Sequence, residues 1–145
     1  MGMDKVFVFG TLKDGFSNFQ FNKGIRFRGK FETRERFPLY LVGERYSPWL
    51  VLDEGKGYKV KGEVYSVASE VLAEMDRLER ISEPDGYRKV TIQVLCIEFG
   101  ELLKAYAYGK PIDQLRNADI RKKLAGEYLL EHSELYRSRN LILFS

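Results

Sequence analysis

The stretch Val6-Phe7-Val8-Phe9-Gly10 constrains the fold more than any other in the chain. Four apolar residues follow one another with no polar residue at alternate positions. A strand of that kind must be covered on both faces, which places it inside its sheet. Gly10 then ends it, and Thr11-Leu12-Lys13 lead into the turn residues Asp14-Gly15. A glycine at the end of a buried strand has two readings. It is either the turn that the chain needs, or the start of a loop whose backbone N–H groups face a ligand.

Around that strand the sequence predicts further strands and one change of period. Its 145 residues suit a single domain, 1–145, large enough to bury a core without disulfides. Residues 24–37, 38–43 and 49–57 read as strands closed by turns. Val60, Gly62 and Val64 alternate with charged neighbours and predict a strand with one wet face. At Ala68 the alternation stops. Residues 68–82 are good helix formers, with Ser69 as the N-cap and Glu70 in the first turn. Pro84 and Asp85-Gly86 end this central helix. Val90, Ile92 and Val94 alternate again, and 101–110 is the hairpin partner of that strand.

Residues 112–145 read as a helical extension. Ile120, Leu124, Tyr128 and Leu135 fall within about 80° at helical spacing, so this C-terminal helix either covers the domain or pairs two subunits as a homodimer. Strands and helices do not alternate regularly, which disfavours a doubly wound parallel sheet. The expectation is an α+β fold with a largely antiparallel sheet curled into a barrel.

Composition excludes several function classes. The net charge is +3, from 24 basic and 21 acidic residues, too small an excess to suggest a nucleic-acid protein by itself. "RFRGKFETRERF" interleaves basic and aromatic residues as a single-strand binder would, but acids interrupt it, so an amphipathic strand is the simpler reading. A lone cysteine, Cys96, sits in an apolar run and reads as a buried strand residue; His132 is the one histidine. No spaced Cys/His cluster, no His-based triad and no membrane-length apolar run is present, so the chain is expected to need no metal or cofactor and to lie in the cytoplasm.

One carboxylate falls on the wrong face of the central helix. With Val71 at zero and about 100° per residue, Leu78, Met75 and Leu72 fall near ~340°, ~40° and ~100°. Glu79 falls near ~80°, inside that apolar arc, and Asp76 at its border near ~140°. Glu79 therefore either salt-bridges an arginine such as Arg88 or stands in a cavity as a proton-transfer group. Tyr106 and Tyr108 share one face of the last long strand. They either pack on the sheet or look into the same cavity.

Taken in order, "VFVFGTLKDGFSN", "GEVYSV", "MDRLERISEPDGYRKVTIQV" and "AYAYG" resemble the gamma-glutamylcyclotransferase-like family, in particular its gamma-glutamylamine cyclotransferase branch, over about residues 5–110. The resemblance implies a small, partly open barrel with helices around a central cavity. It implies release of 5-oxoproline from a gamma-glutamyl amine or amino acid, with Glu79 as acid/base. It puts the substrate loop on Phe9, Gly10, Thr11 and Leu12, with Tyr108 beside it and Arg88 as a candidate for the substrate carboxylate. The family's loop tyrosine is Phe9 here, which keeps a silent metabolite-binding barrel as the alternative.

Overall fold

The computed structural model describes residues 3–137. In chain order the elements are β1 (Asp4–Val8), β2 (Ile25–Arg26), β3 (Phe31–Phe37), β4 (Leu39–Val42), β5 (Ser47–Leu50), β6 (Tyr58–Val67), α1 (Ser69–Leu78), β7 (Arg88–Cys96), β8 (Leu102–Gly109), β9 (Ile120–Leu124) and α2 (Leu130–Ser133). One sheet runs β1-β8-β7-β3-β6-β2 and curls until β1 also pairs with β6. Its pairs are antiparallel except β1–β8, where Val6 stands opposite Tyr106. A smaller sheet runs β5-β4-β9.

The opening apolar run now has its physical reason. Phe7 and Phe9 point into the core within the curled sheet, with Phe31, Val60, Val64, Val94 and Ala107. Val6 and Val8 point the other way, into a second core with Tyr65, Val67 and the α1 residues Leu72 and Met75. Both faces of β1 are covered, so neither can be polar. Cys96 is buried in the first core. So are Phe31 and Phe37, which spends two rings of the basic–aromatic stretch inside the protein. Among the described residues no helix is long and apolar enough to cross a membrane.

Two local expectations are corrected. Ala68, not Ser69, holds the N-cap position of α1, and it makes no side-chain cap bond. The larger correction concerns the C-terminal helix. Residues 112–137 form a short 3-10 turn (Ile112–Leu115), the strand β9 and only the four-residue helix α2. β9 pairs with the β4 edge, Leu124 opposite Leu39, and so satisfies backbone groups that would stand open there. Edge pairing overrides the helix propensity of "IRKKLA". Gly126 then turns the chain at φ 88°. The helical stripe does not exist as a face: Leu124 and Tyr128 are buried within this chain, whereas Ile120 and Leu135 are exposed. The homodimer through that helix loses its helix. The final apolar run, residues 140–145, lies outside the described residues.

Candidate active site

A cavity of about 320 Å³ lies where the end of β1, the end of α1 and the turn into β5 meet. Phe9, Gly10, Thr11, Leu12, Glu79 and Tyr108 all line it.

The loop after β1 is held from behind. The Gly10 backbone passes so close to β5 that an added Cβ would stand 2.8 Å from Pro48 Cγ. The loop's acceptors are taken: Lys13 N–H donates to the Gly10 carbonyl (3.1 Å) and Asn18 N–H to the Thr11 carbonyl (2.8 Å). The Asn18 amide also donates to Thr11 Oγ1 (2.9 Å), and the Asn22 amide donates to the Leu12 carbonyl (3.0 Å). No described residue accepts the N–H groups of Thr11 and Leu12. Backbone donors left over on a cavity wall suit an anion or a polarised carbonyl oxygen.

The C-terminal segment reinforces this loop. The buried Lys13 ammonium donates to the Tyr128 carbonyl (2.6 Å) and lies 4.3 Å from the centre of the Phe16 ring. Burial pushes the Lys13 pKa down. Tyr136 lines the cavity, and its hydroxyl accepts from the Asn18 amide (3.2 Å) and the Arg45 guanidinium (3.4 Å). His132, also buried, accepts the Leu129 N–H at Nδ1 (2.9 Å).

Glu79 owes its position to how α1 stops. The helix ends at Leu78 with Glu79 as C-cap, well before Pro84. Ile81 N–H bonds the Asp76 carbonyl (3.2 Å) and Arg80 N–H bonds the Arg77 carbonyl (3.1 Å), the paired bonds of a Schellman motif. Arg80 occupies its left-handed position at φ 54°, where glycine is usual and another residue costs on the order of 1 kcal/mol. The Arg80 side chain lines the cavity and meets the exposed Asp85 carboxylate at 3.0 Å. Arg80→Gly is therefore expected to relieve strain and raise the thermal midpoint by about 2–4 °C. It also deletes a cation from the cavity wall. Scanning calorimetry checks this, and a lowered midpoint would show that the Asp85 contact outweighs the strain.

Tyr108 is buried, and its hydroxyl donates to Asp76 Oδ1 (2.7 Å), while Lys89 Nζ donates to Asp76 Oδ2 (2.9 Å). Burial, then the Asp76 hydrogen bond, push the phenol far above its ordinary pKa, so Tyr108 stays neutral. On the wheel Asp76 stands only at the border of the apolar arc. It is instead the anchor of a cavity tyrosine.

Arg88 does not line the cavity. Its guanidinium donates to the carbonyls of Glu83, Gly86, Tyr87 and Pro84 at 3.0–3.2 Å. It clamps the turn after α1, so the structure does not bring this sequence candidate for the substrate carboxylate to the cavity wall. The arginines that do line the cavity are Arg45, Arg77 and Arg80. Two of them flank Glu79 in sequence. Arg45 comes from the turn between β4 and β5, and no sequence pattern connects that turn with α1.

Comparison with known proteins agrees with the fold. The family model described as gamma-glutamyl cyclotransferase, AIG2-like, matches residues 6–130. The mouse gamma-glutamylaminecyclotransferase is 35% identical over 117 residues, covering 73% of this chain and 77% of that one. A putative gamma-glutamylcyclotransferase of Methanocaldococcus jannaschii is 34% identical over 110 residues, covering 75% and 86%. The crystal structure of a mouse AIG2-like protein superposes with a TM-score of 0.71 at 28% identity, covering 96% of this chain and 98% of that one. With a family match running from β1 almost to the end of the described residues, the chain belongs to the AIG2-like gamma-glutamyl cyclotransferase family and is an enzyme of that kind.

Proposed function

We propose that this cavity converts a gamma-glutamyl amine or gamma-glutamyl amino acid into 5-oxoproline and the free amine, in the cytoplasm and without a cofactor. The observation that carries the reading is the shared wall. Glu79, a half-buried residue, lines the same cavity as a loop with two backbone donors that no described residue accepts.

The reaction is intramolecular. The substrate's α-nitrogen attacks its own γ-carbonyl carbon, a C–N bond forms, and the original amide C–N bond breaks. The enzyme holds the cyclising conformer. Glu79 takes the proton from the attacking nitrogen and returns it to the leaving one. The Thr11 and Leu12 N–H groups stabilise the oxygen that becomes negative in between. The rings of Phe9 and Tyr108 shape the pocket.

Incubation with a panel of gamma-glutamyl amines and dipeptides, with 5-oxoproline read by mass spectrometry, tests the proposal. Among the described residues Arg45, Arg77 and Arg80 line the cavity with one carboxylate, Glu79, so the leaving group's charge should matter. A gamma-glutamyl amino acid with a free carboxylate is expected to show a KM about 2- to 5-fold below that of its amide, as partly exposed ion pairs allow. A gamma-glutamyl polyamine should do worst. A reversed order would remove the arginines from substrate recognition. If nothing on the panel turns over but a gamma-glutamyl compound raises the melting temperature, the chain binds without catalysis. The hydroxyl absent at Phe9 is then the first explanation to test, by Phe9→Tyr.

A further inference from the structure

Beside the cavity, and outside the mechanism above, lies a buried lysine. Lys110 follows the last residue of β8 and is only 4% exposed. Its ammonium lies between two aromatic rings, 4.4 Å from the centre of Trp49 and 4.5 Å from that of Tyr87. It donates to the Asp85 carbonyl (2.6 Å) and to Gln114 Oε1 (3.1 Å). Burying a cation is costly even with aromatic faces on both sides, so these contacts must hold it in place.

What the lysine grips is the segment that carries the site. From Glu83 to Tyr87 every backbone carbonyl accepts a side-chain donor. Arg88 serves Glu83, Pro84, Gly86 and Tyr87; Gln114 serves Pro84 and Gly86; Lys110 serves Asp85. This turn is bonded directly to the end of α1, because Tyr87 N–H donates to the Glu79 carbonyl (3.0 Å). The Tyr87 ring lines the cavity and its hydroxyl donates to the Pro48 carbonyl (2.8 Å). Lys110 thus touches the turn through Asp85, a cavity wall through Tyr87, and β5 through Trp49.

We propose that Lys110 is a positioning residue for the reaction: it fixes Tyr87 and the 83–87 turn against the cavity and, through the Tyr87 N–H bond to the Glu79 carbonyl, sets a buried positive charge on the segment that holds Glu79. The proposal rests on Glu79 being the acid/base of the cyclotransferase reading. The charged groups around Lys110 are mixed in sign. Asp85 and Glu79 attract it, and Arg80 and Arg88 repel it. Burial dominates and brings its pKa down to about 8. The cation is therefore present at neutral pH and lost as the pH rises through about 8. Because the folded pKa is depressed, the burial cost is borne below about pH 8 and fades as the pH climbs toward the unfolded value. An uncharged residue of the same length should therefore fold.

The test compares wild type, Lys110→Met and Lys110→Arg in two measurements. The first is the pH profile of kcat/KM on an accepted gamma-glutamyl substrate. Wild type is expected to lose activity on an alkaline limb near pH 8. Lys110→Met should lose that limb and shift its acid limb upward, with kcat lowered more than KM is raised. Lys110→Arg keeps the charge, cannot titrate there, and should restore the acid limb alone. The second is the titration of Glu79 itself, followed by carbon NMR of protein labelled at glutamate carboxyls and assigned with Glu79→Gln. Lys110→Met should raise the Glu79 midpoint, since an opposite charge nearby is removed. A Glu79 midpoint that does not move overturns the proposal, whatever the turnover. Wild-type limbs retained in a folded Lys110→Met protein overturn it as well. If wild type releases no 5-oxoproline at all, the cyclotransferase reading fails, and the NMR titration still decides whether Lys110 sets the charge state of Glu79.

Discussion

Glu79→Gln is expected to lower 5-oxoproline release by about 10²–10⁴-fold, the range that general acid–base catalysis contributes. The amide keeps the size of the carboxyl group and most of its hydrogen bonding, but it cannot carry a proton between the two nitrogens. The fold should survive, because Glu79 caps α1 through its backbone, not through its charge. Asp76→Asn is expected to affect turnover as well. It weakens the pairing with Lys89 and loosens the anchor of Tyr108 (2.9 and 2.7 Å in the native protein), so a smaller loss of turnover is expected from it. Glu74→Gln, on the exposed side of α1, is the proper comparison. Side-by-side initial rates check the pair, and wild-type turnover in Glu79→Gln would remove Glu79 from the chemistry.

Gly86→Ala should produce the second large effect, for a steric reason. A Cβ at this position would fall on the carbonyl of Arg80, with the Arg80 Cβ only 3.2 Å away. Backbone cannot be displaced like the end of a side chain, so the turn itself must move. The overpacking cost is about 1–3 kcal/mol. The activity loss should be larger than that cost alone implies. The turn is bonded to Glu79 and carries Tyr87, and a shift of about 1 Å in a catalytic group costs on the order of 10²-fold. Urea unfolding and initial rates on the same preparation separate the two effects. Unchanged turnover in a folded Gly86→Ala protein would show that the turn does not position Glu79.

Much of the scaffold was legible locally. β6, the β7–β8 hairpin and the presence of α1 follow from alternation, turn residues and the change of period, all of which are short-range signals. The apolar arc on α1 singled out Glu79 because a carboxylate among Val71, Leu72, Met75 and Leu78 conflicts with burial, and that conflict is written in the sequence. Helix propensity misled in 117–136. "IRKKLAGEYLLEH" is rich in helix formers, but the open edge of β4 lies far away in sequence, and pairing with it outweighs local preference. The place of Arg88 was not legible for a related reason: a cation near a candidate site looks like a ligand until the carbonyls that surround it are known.

The sequence by itself determined that β1 is buried on both faces, that the chain turns at Gly10, and that one carboxylate of α1 stands where an apolar residue would be expected. These follow from patterning that each segment carries within itself. Only the tertiary structure decided that Arg45, Asn18 and Tyr136 reach the same cavity, that Tyr108 is anchored by Asp76, and that Lys110 is caged between Trp49 and Tyr87. Those residues come from segments with no common period, and nothing in a local pattern records which strand edge, turn or ring will meet another. The physical reason is that sheet pairing and core packing join residues far apart in the chain, and side-chain chemistry acquires its partners only after that joining.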